Sequence, residues 1–220
     1  MRRLLNLTIL PLIASLLFAA PFFSQTKTPT AESLKLREMK ALEILRTTPH
    51  RVKLTIETRN SEAEEWQPYS CFITEYASAR SYERRCTEPF RERIRIGKDT
   101  YAKTVDGSWK LERKASGRAT VKPLSPAKTE VARLAADEAP ESGAAGFSVE
   151  SHSTYQSLVD GMVYDNDSTG DVWFDDQGRF VMREVIVFIN LPRPGRFSRR
   201  AEIYEYDPDI KIEIPAIAKQ

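Results

Sequence analysis

The chain has 220 residues, of which 41% are hydrophobic and 29% charged, and its formal net charge at pH 7 is +2. A chain of this length and composition can bury a core, and it fits one domain comfortably and two poorly. The small net charge by itself indicates no strongly charged partner.

The first 25 residues are predicted to be a secretory signal peptide. Arg2 and Arg3 precede an apolar run from Leu4 to Ala20, which is the order of charged and apolar regions in such peptides. The run contains Pro11 and is shorter than the roughly 20 apolar residues of a membrane span, so an uncleaved anchor is the weaker interpretation. No cysteine follows that could carry a bacterial lipid anchor. We therefore expect an exported protein, periplasmic or extracellular, that is soluble after cleavage and touches membranes only transiently.

Residues 26–30 are expected to be a flexible leader, and residues 31–47 a helix that ends before Pro49. The apolar residues of this segment recur at helical spacing: Leu34, Met39, Leu42 and Leu45. After Pro49 the period changes to two, which predicts a half-buried strand. Its apolar positions are Val52, Leu54 and Ile56.

The two cysteines of the chain, Cys71 and Cys86, are predicted to form a disulfide. Two strands, 66–76 and 81–86, would turn at Ser78 and Ala79. In that register opposite residues sum to 157, as 71 and 86 do, so the cysteines face each other. Opposite β-carbons lie about 4.5–5.5 Å apart, close to what a disulfide needs. The alternative is a pair of buried thiols.

The middle of the chain is predicted to change from strands to a helix. A strand at 91–97 is followed by a hairpin whose turn is Asp106-Gly107, a strong hairpin signal. Residues 112–146 lose the alternation, and Ser125-Pro126 resembles the start of a helix that ends near Ala139.

The C-terminal part is predicted to return to sheet, in strands at 146–151, 155–164, 171–174, 179–189, 199–206 and 210–214. The predicted fold is α+β with a β-majority, a large curved antiparallel sheet of about ten strands that forms an unclosed barrel. The N-terminal helix and the mid-chain helix would cover its concave face. We expect a single domain over residues 31–215, with 216–220 as a free tail.

Five segments follow one another along the chain: Arg51–Ile56 directly after the helix, Ile94–Lys103, Asp106–Trp109, Val172–Arg179 and Tyr206–Pro215. In this order they resemble the periplasmic lipoprotein-carrier superfamily, that is, the LolA/LolB-like and LppX/LprG-like proteins. The resemblance implies an unclosed β-barrel around helices, with an apolar cavity for acyl chains and no covalent chemistry. The missing lipid-anchor cysteine matches the soluble carriers rather than the anchored acceptors, and no arginine here matches the one with which the carriers grip lipoproteins.

The function that this resemblance implies is an exported, non-enzymatic carrier or sensor of lipid or lipoprotein acyl chains, without a cofactor and monomeric. Each methylene moved from water into an apolar cavity gains about 0.8 kcal/mol, so burial alone can hold a long chain. The same side chains could instead pack helix on sheet and leave no cavity. The candidate lining residues are Leu42, Leu45, Val52, Leu54, Ile56, Val185 and Val187.

The segment 165–176 imitates a calcium-binding loop, but we expect no metal there. Its oxygens fall at the required positions: Asp165, Asp167, Thr169, Asp171 and Asp176. However, its flanks read as strands rather than helices, and polar hairpin loops share this composition. With two histidines and no Gly-x-Ser-x-Gly motif, the chain also gives no support for a zinc site or a hydrolase.

The stretch from Arg80 to Arg118 is locally basic, and alternation puts Arg91, Arg93 and Arg95 on one face of their strand. This face could bind another envelope protein or a polyanion, which gives the alternative function of an interaction module. A solvated outer face of a sheet explains the pattern equally well. Export argues against nucleic acid as the partner.

Overall fold

The computed structural model describes residues 29–78, 80–112, 121–141, 143–158, 161–191 and 195–214. The predicted signal peptide and the tail at 216–220 lie outside the described residues. Only the last two residues of the predicted leader, 29 and 30, lie inside them.

The N-terminal helix α1 spans Ala31–Thr47 and confirms the predicted bounds. Thr30 begins it with a capping box, in which the Thr30 hydroxyl accepts from the Ser33 amide and the Ser33 hydroxyl accepts from the Thr30 amide. Thr48 is already extended, and Pro49 follows, which a helix does not tolerate in its interior. Leu34 and Ala41 are the buried residues of α1.

Twelve strands form one antiparallel sheet that does not close on itself. The order is β6-β5-β4-β3-β2-β1-β12-β11-β10-β9-β7, with β8 also paired to β9. The strands are β1 (His50–Arg59), β2 (Gln67–Ala77), β3 (Arg80–Arg85), β4 (Glu92–Ile96), β5 (Asp99–Lys103), β6 (Trp109–Leu111), β7 (Val121–Pro123), β8 (Lys128–Arg133), β9 (Ala145–Ser157), β10 (Val163–Phe174), β11 (Phe180–Leu191) and β12 (Arg196–Tyr206). The predicted β-majority and open antiparallel sheet are confirmed.

The two faces of this sheet are covered by different parts of the chain. On one face, called here the helix face, Leu34 and Ala41 of α1 pack with Val172, Phe174 and Phe180. On the opposite face, called the tail face, the segment 207–214 packs Ile210 and Ile212 against Ile94. In the described part of the chain, one hydrophobic core therefore lies under α1 and a separate one under the C-terminal segment.

The hairpin of β2 and β3 has the predicted register and carries the predicted disulfide. Phe72 faces Arg85 and Ala77 faces Arg80. Cys71 and Cys86 are bonded, with their α-carbons 5.2 Å apart. The turn residue Ser78 has φ of 56°, and Ala79 lies outside the described residues.

The predicted mid-chain helix is wrong. Lys128–Arg133 forms β8, and only Ala136–Glu138 is helical, as one short 3₁₀ turn. The 13-residue strand β9 offers a ladder of backbone groups, and β8 pairs with it from Lys128 opposite His152 to Arg133 opposite Phe147. Val131 packs against the core under α1 from this strand, so strand pairing overrides the helical pattern.

Three details of the predicted C-terminal sheet also need correction. Residues 145–157 form one strand rather than two, and the turn falls inside the predicted strand 155–164, where the Gly161 amide donates to the Ser157 carbonyl. The predicted loop at 165–170 belongs to β10. Residues 210–214 alternate as a strand does, but they form no ladder; Ile210 and Ile212 pack by their side chains, and the Ile212 carbonyl accepts from Arg80.

Candidate ligand cavity

A cavity of about 400 Å³ lies between the C-terminal half of α1 and the helix face of the sheet. Its size falls in the range of small-molecule pockets, roughly 300–1,000 Å³. The sheet side is formed by β1, β2, β4 and β12, and the helix side by the last two turns of α1. The lining residues are Leu42, Leu45, Arg46, Thr48, His50, Val52, Tyr76, Ser78, Arg95, Glu202 and Tyr204.

The pairing of the strands explains why residues so far apart in the sequence share this cavity. Directly opposite residues of an antiparallel pair project on the same face. Val52 lies opposite Tyr204 on one side and Thr74 on the other. One register row runs from His50 to Tyr76, then to Ser81 and finally to Arg95. The row therefore places Arg95 of β4 on the helix face.

Three of the seven predicted lining residues, Leu42, Leu45 and Val52, lie in this cavity. Val185 and Val187 line a neighbouring cavity of about 360 Å³ on the same face, together with Arg183, Ser198, Arg200 and Glu202. Leu54 and Ile56 are half-buried in β1 and line neither of these two cavities. Since Leu54 lies opposite Glu202 and Ile56 opposite Arg200, both share the helix face.

Glu202 is a buried carboxylate that lines both cavities. Its Oε1 accepts from Nε and one terminal nitrogen of Arg200 at 3.0 and 2.5 Å, and its Oε2 accepts from the Tyr204 hydroxyl at 2.6 Å. Arg183 lies 3.6 Å from the same Oε2. Burial raises the pKa of Glu202, but the hydrogen bonds from Tyr204 and Arg200 outweigh this, so its pKa is held below the usual value.

Tyr204 responds in the opposite direction. Burial and the hydrogen bond to the Glu202 carboxylate both raise its pKa. The phenol is thus held protonated as a donor and Glu202 ionised as an acceptor. The hydrogen bond between Tyr204 and Glu202 therefore holds these two lining side chains in one orientation.

His50 of β1 lines the cavity beside Tyr76 of β2. Its Nδ1 lies 2.8 Å from the Thr48 carbonyl oxygen, and because that oxygen can only accept, Nδ1 carries the proton. The ring stacks on Tyr76 with centroids 4.6 Å apart and an interplanar angle of 12°. Burial lowers the pKa of His50 against the smaller, opposing effect of the Thr48 bond, so the imidazole is neutral at pH 7.

The calcium-like segment does not form a loop. Asp165, Asp167, Thr169 and Asp171 lie along β10, and only Asp176 is in a turn. Alternate side chains of a strand are spread along one face, so these oxygens do not converge. Instead, Asp165 and Asp167 contact His152 at 3.2 and 2.8 Å. Within the described part of the chain, no group of three or more His, Cys, Asp or Glu could hold a metal.

The predicted basic face is largely neutralised. Arg93 bonds Glu112 at 2.9 Å and lies 3.6 Å from Glu83, and Arg91 also bonds Glu112. Arg95 differs, because its Nε donates to the Gly97 carbonyl and its side chain lines the cavity. The three arginines therefore do not act as one free basic patch.

Sequence reasoning missed the polar half of the cavity. His50, Glu202 and Tyr204 belong to strands that the alternation predicted, but alternation alone does not say which face receives the helix. The available signal was a strand in which charged Arg200 and Glu202 alternate on the same side as Tyr204. Polar residues at positions of a core face indicate a paired network or a site.

A comparison of the chain with known protein families and with curated proteins finds no match. Among the described residues, no helix combines the length and the apolar character that crossing a membrane requires. The disulfide is consistent with an oxidising compartment.

Proposed function

We propose that the protein is an exported, non-enzymatic carrier or sensor that binds lipid or lipoprotein acyl chains on the helix face of its sheet. The observation that carries the proposal is the 400 Å³ cavity under α1, which has aliphatic walls from both the helix and the sheet. The order of segments that resembles the periplasmic lipoprotein-carrier superfamily supports the same function.

The energetics favour a single extended chain as the ligand. A buried methylene gains about 0.8 kcal/mol, so eight of them gain roughly 6 kcal/mol before the cost of immobilising the ligand. The second cavity, lined by Val185 and Val187, shares the lining residue Glu202 with the first. Both cavities therefore lie side by side on the helix face.

The polar groups of the cavity are better suited to structure than to catalysis. A general base must be able to take a proton near neutral pH. Glu202, with its lowered pKa and its hydrogen bonds from Arg200 and Tyr204, is a poor base. This favours binding over turnover.

The test is to narrow the cavity without touching the core. Leu42 is 44% exposed and lines the cavity, whereas Leu36 is 56% exposed on the same helix and is not among the lining residues. Leu42→Trp should weaken binding of a fluorescent C18 fatty acid to the delipidated protein at least tenfold, and Leu36→Trp should leave it unchanged. If the wild-type protein binds no acyl probe, or if both variants bind it equally, the proposal is wrong.

A further inference from the structure

We infer that the ligand of this cavity is an anionic amphiphile, whose carboxylate or phosphate head is held between Arg46 and Arg95 while its chain lies under α1. The inference rests on the proposed function and adds the chemical class of the head group. It is carried by two arginines from different elements that line one aliphatic cavity.

Arg46 and Arg95 reach the cavity from opposite sides. Arg46 lies in the last turn of α1, and Arg95 projects from β4 on the register row of His50 and Tyr76. Neither guanidinium is within ion-pair distance of a carboxylate in the described part of the chain, and Arg95 donates only to a backbone carbonyl, that of Gly97.

The charge of the lining is therefore not balanced by the protein itself. Glu202 is the one carboxylate among the lining residues, and Arg200 already holds it in a two-nitrogen contact with Arg183 nearby. The neutral His50 adds no charge. Two guanidiniums thus remain for an anion, and a guanidinium matches carboxylate and phosphate oxygens with its fork of donors.

The lining combines polar and apolar side chains, which suits an amphiphile better than a free anion. Hydroxyl groups of Thr48, Ser78 and Tyr76 join the two arginines in the lining, while Leu42, Leu45 and Val52 supply aliphatic wall. A free phosphate would use only the first set. An uncharged lipid would leave both guanidiniums without a partner.

The test compares matched ligands on matched variants. Binding of stearate and of methyl stearate to the delipidated full-length protein is measured by calorimetry at 50 and 500 mM KCl, for the wild type, Arg46→Gln, Arg95→Gln and the double variant. Arg84→Gln and Lys40→Gln remove one exposed cation each from the sheet and the helix without being lining residues, and they serve as controls. Inorganic phosphate is titrated separately.

We expect the wild type to bind stearate at least tenfold more tightly than the ester, with the preference reduced by high salt. Each cavity variant should weaken stearate binding three- to tenfold and leave ester binding unchanged, and the double variant should bind both equally. The controls should match the wild type. Equal binding of acid and ester by the wild type, or binding of phosphate without stearate, would overturn the inference; failure of both stearate and the ester to bind would instead overturn the proposed function.

Discussion

At the scale of single residues, the charged and polar side chains at the base of the cavity hold one another in place. Glu202 is ionised because Arg200 and Tyr204 donate to it, and those donors are oriented because Glu202 accepts. Removing one member of such a buried group leaves the others without partners, which costs more than the net value of the hydrogen bonds. The arrangement therefore stabilises the shape of the cavity as well as the sheet.

His50 makes the stability of the protein depend on pH. Its pKa in the folded state lies below the unfolded value of 6.5, because burial disfavours the charged ring. Well above pH 6.5 both states are neutral, and His50 has no effect on the pH dependence. Below it the unfolded chain binds the proton first, so the free energy of unfolding falls as the pH drops toward the folded pKa, by at most about 1.4 kcal/mol per pH unit.

The comparison of wild type with His50→Gln isolates this effect. Urea unfolding at pH 7.5, 6.5, 5.5 and 5.0 should show the wild type losing stability relative to the variant as the pH falls below 6.5. The carboxylates contribute equally to both proteins and cancel in the difference. A constant difference across the series would contradict the assignment.

At the scale of elements, the C-terminal segment acts as part of the core although it is not a strand. Ile212 is 7% exposed and packs with Ile94, and Arg80 donates to the Ile212 carbonyl at 3.1 Å. Ile214, two residues later, is 48% exposed. The segment thus covers the tail face of β2–β6 through its packed side chains and through the hydrogen bond to the Ile212 carbonyl.

We predict that Ile212→Ala lowers the free energy of unfolding by about 2–4 kcal/mol, the cost of an apolar truncation in a core. Ile214→Ala, which deletes the same atoms at an exposed position, should cost less than about 0.5 kcal/mol. Chemical denaturation measures both. Equal losses for the two variants would show that the segment does not pack as described.

Some helices and strands could be predicted from the sequence, and others could not. The helix over 31–47 was predictable because its apolar residues recur at helical spacing and Pro49 marks its end, both of which are local signals. The disulfide was predictable because a two-residue turn sets the register of its hairpin. β8 was not, because its six residues carry a helix-like pattern and become a strand only through pairing with β9, which is a non-local contact. The polar half of the cavity was missed for the same reason.

At two glycines, close contact with a distant part of the chain leaves no room for a side chain, which the sequence alone does not reveal. A Cβ on Gly170 would lie 2.2 Å from the Glu184 carbonyl oxygen of β11, and one on Gly146 would lie 2.5 Å from the Trp173 ring. Gly170 lies in the interior of β10 and Gly146 is the second residue of β9, and glycine is otherwise unfavourable within strands. Close approach of a neighbouring strand and of an indole ring explains why no side chain is present there.

At the scale of the whole molecule, the disulfide belongs to the half of the sheet whose core is formed with the C-terminal segment rather than with α1. Cys71 and Cys86 join β2 to the end of β3, 15 residues apart. A crosslink closing a loop of that length stabilises a fold by about 3 kcal/mol, through restriction of the unfolded chain. The core of this half rests on Ile94, Ile210 and Ile212, which is a small apolar cluster.

We therefore expect the double variant Cys71→Ser/Cys86→Ser to lose about 3 kcal/mol of unfolding free energy. Urea unfolding of the wild type with and without a reducing agent gives an independent measurement and should show the same loss. The variant itself should not respond to the reducing agent. A wild type whose midpoint is unaffected by reduction would contradict the stabilising role of the bond.

The two cores lie on opposite faces of the sheet and under different strands, which has a mechanical consequence. α1 is fastened to β8–β12, while the C-terminal segment and the disulfide stiffen β2–β6. Arg46 belongs to the first block and Arg95 to the second, joined through β1. A small change in the twist of the sheet at β1 therefore changes the distance between the guanidinium groups of Arg46 and Arg95 without disrupting either core.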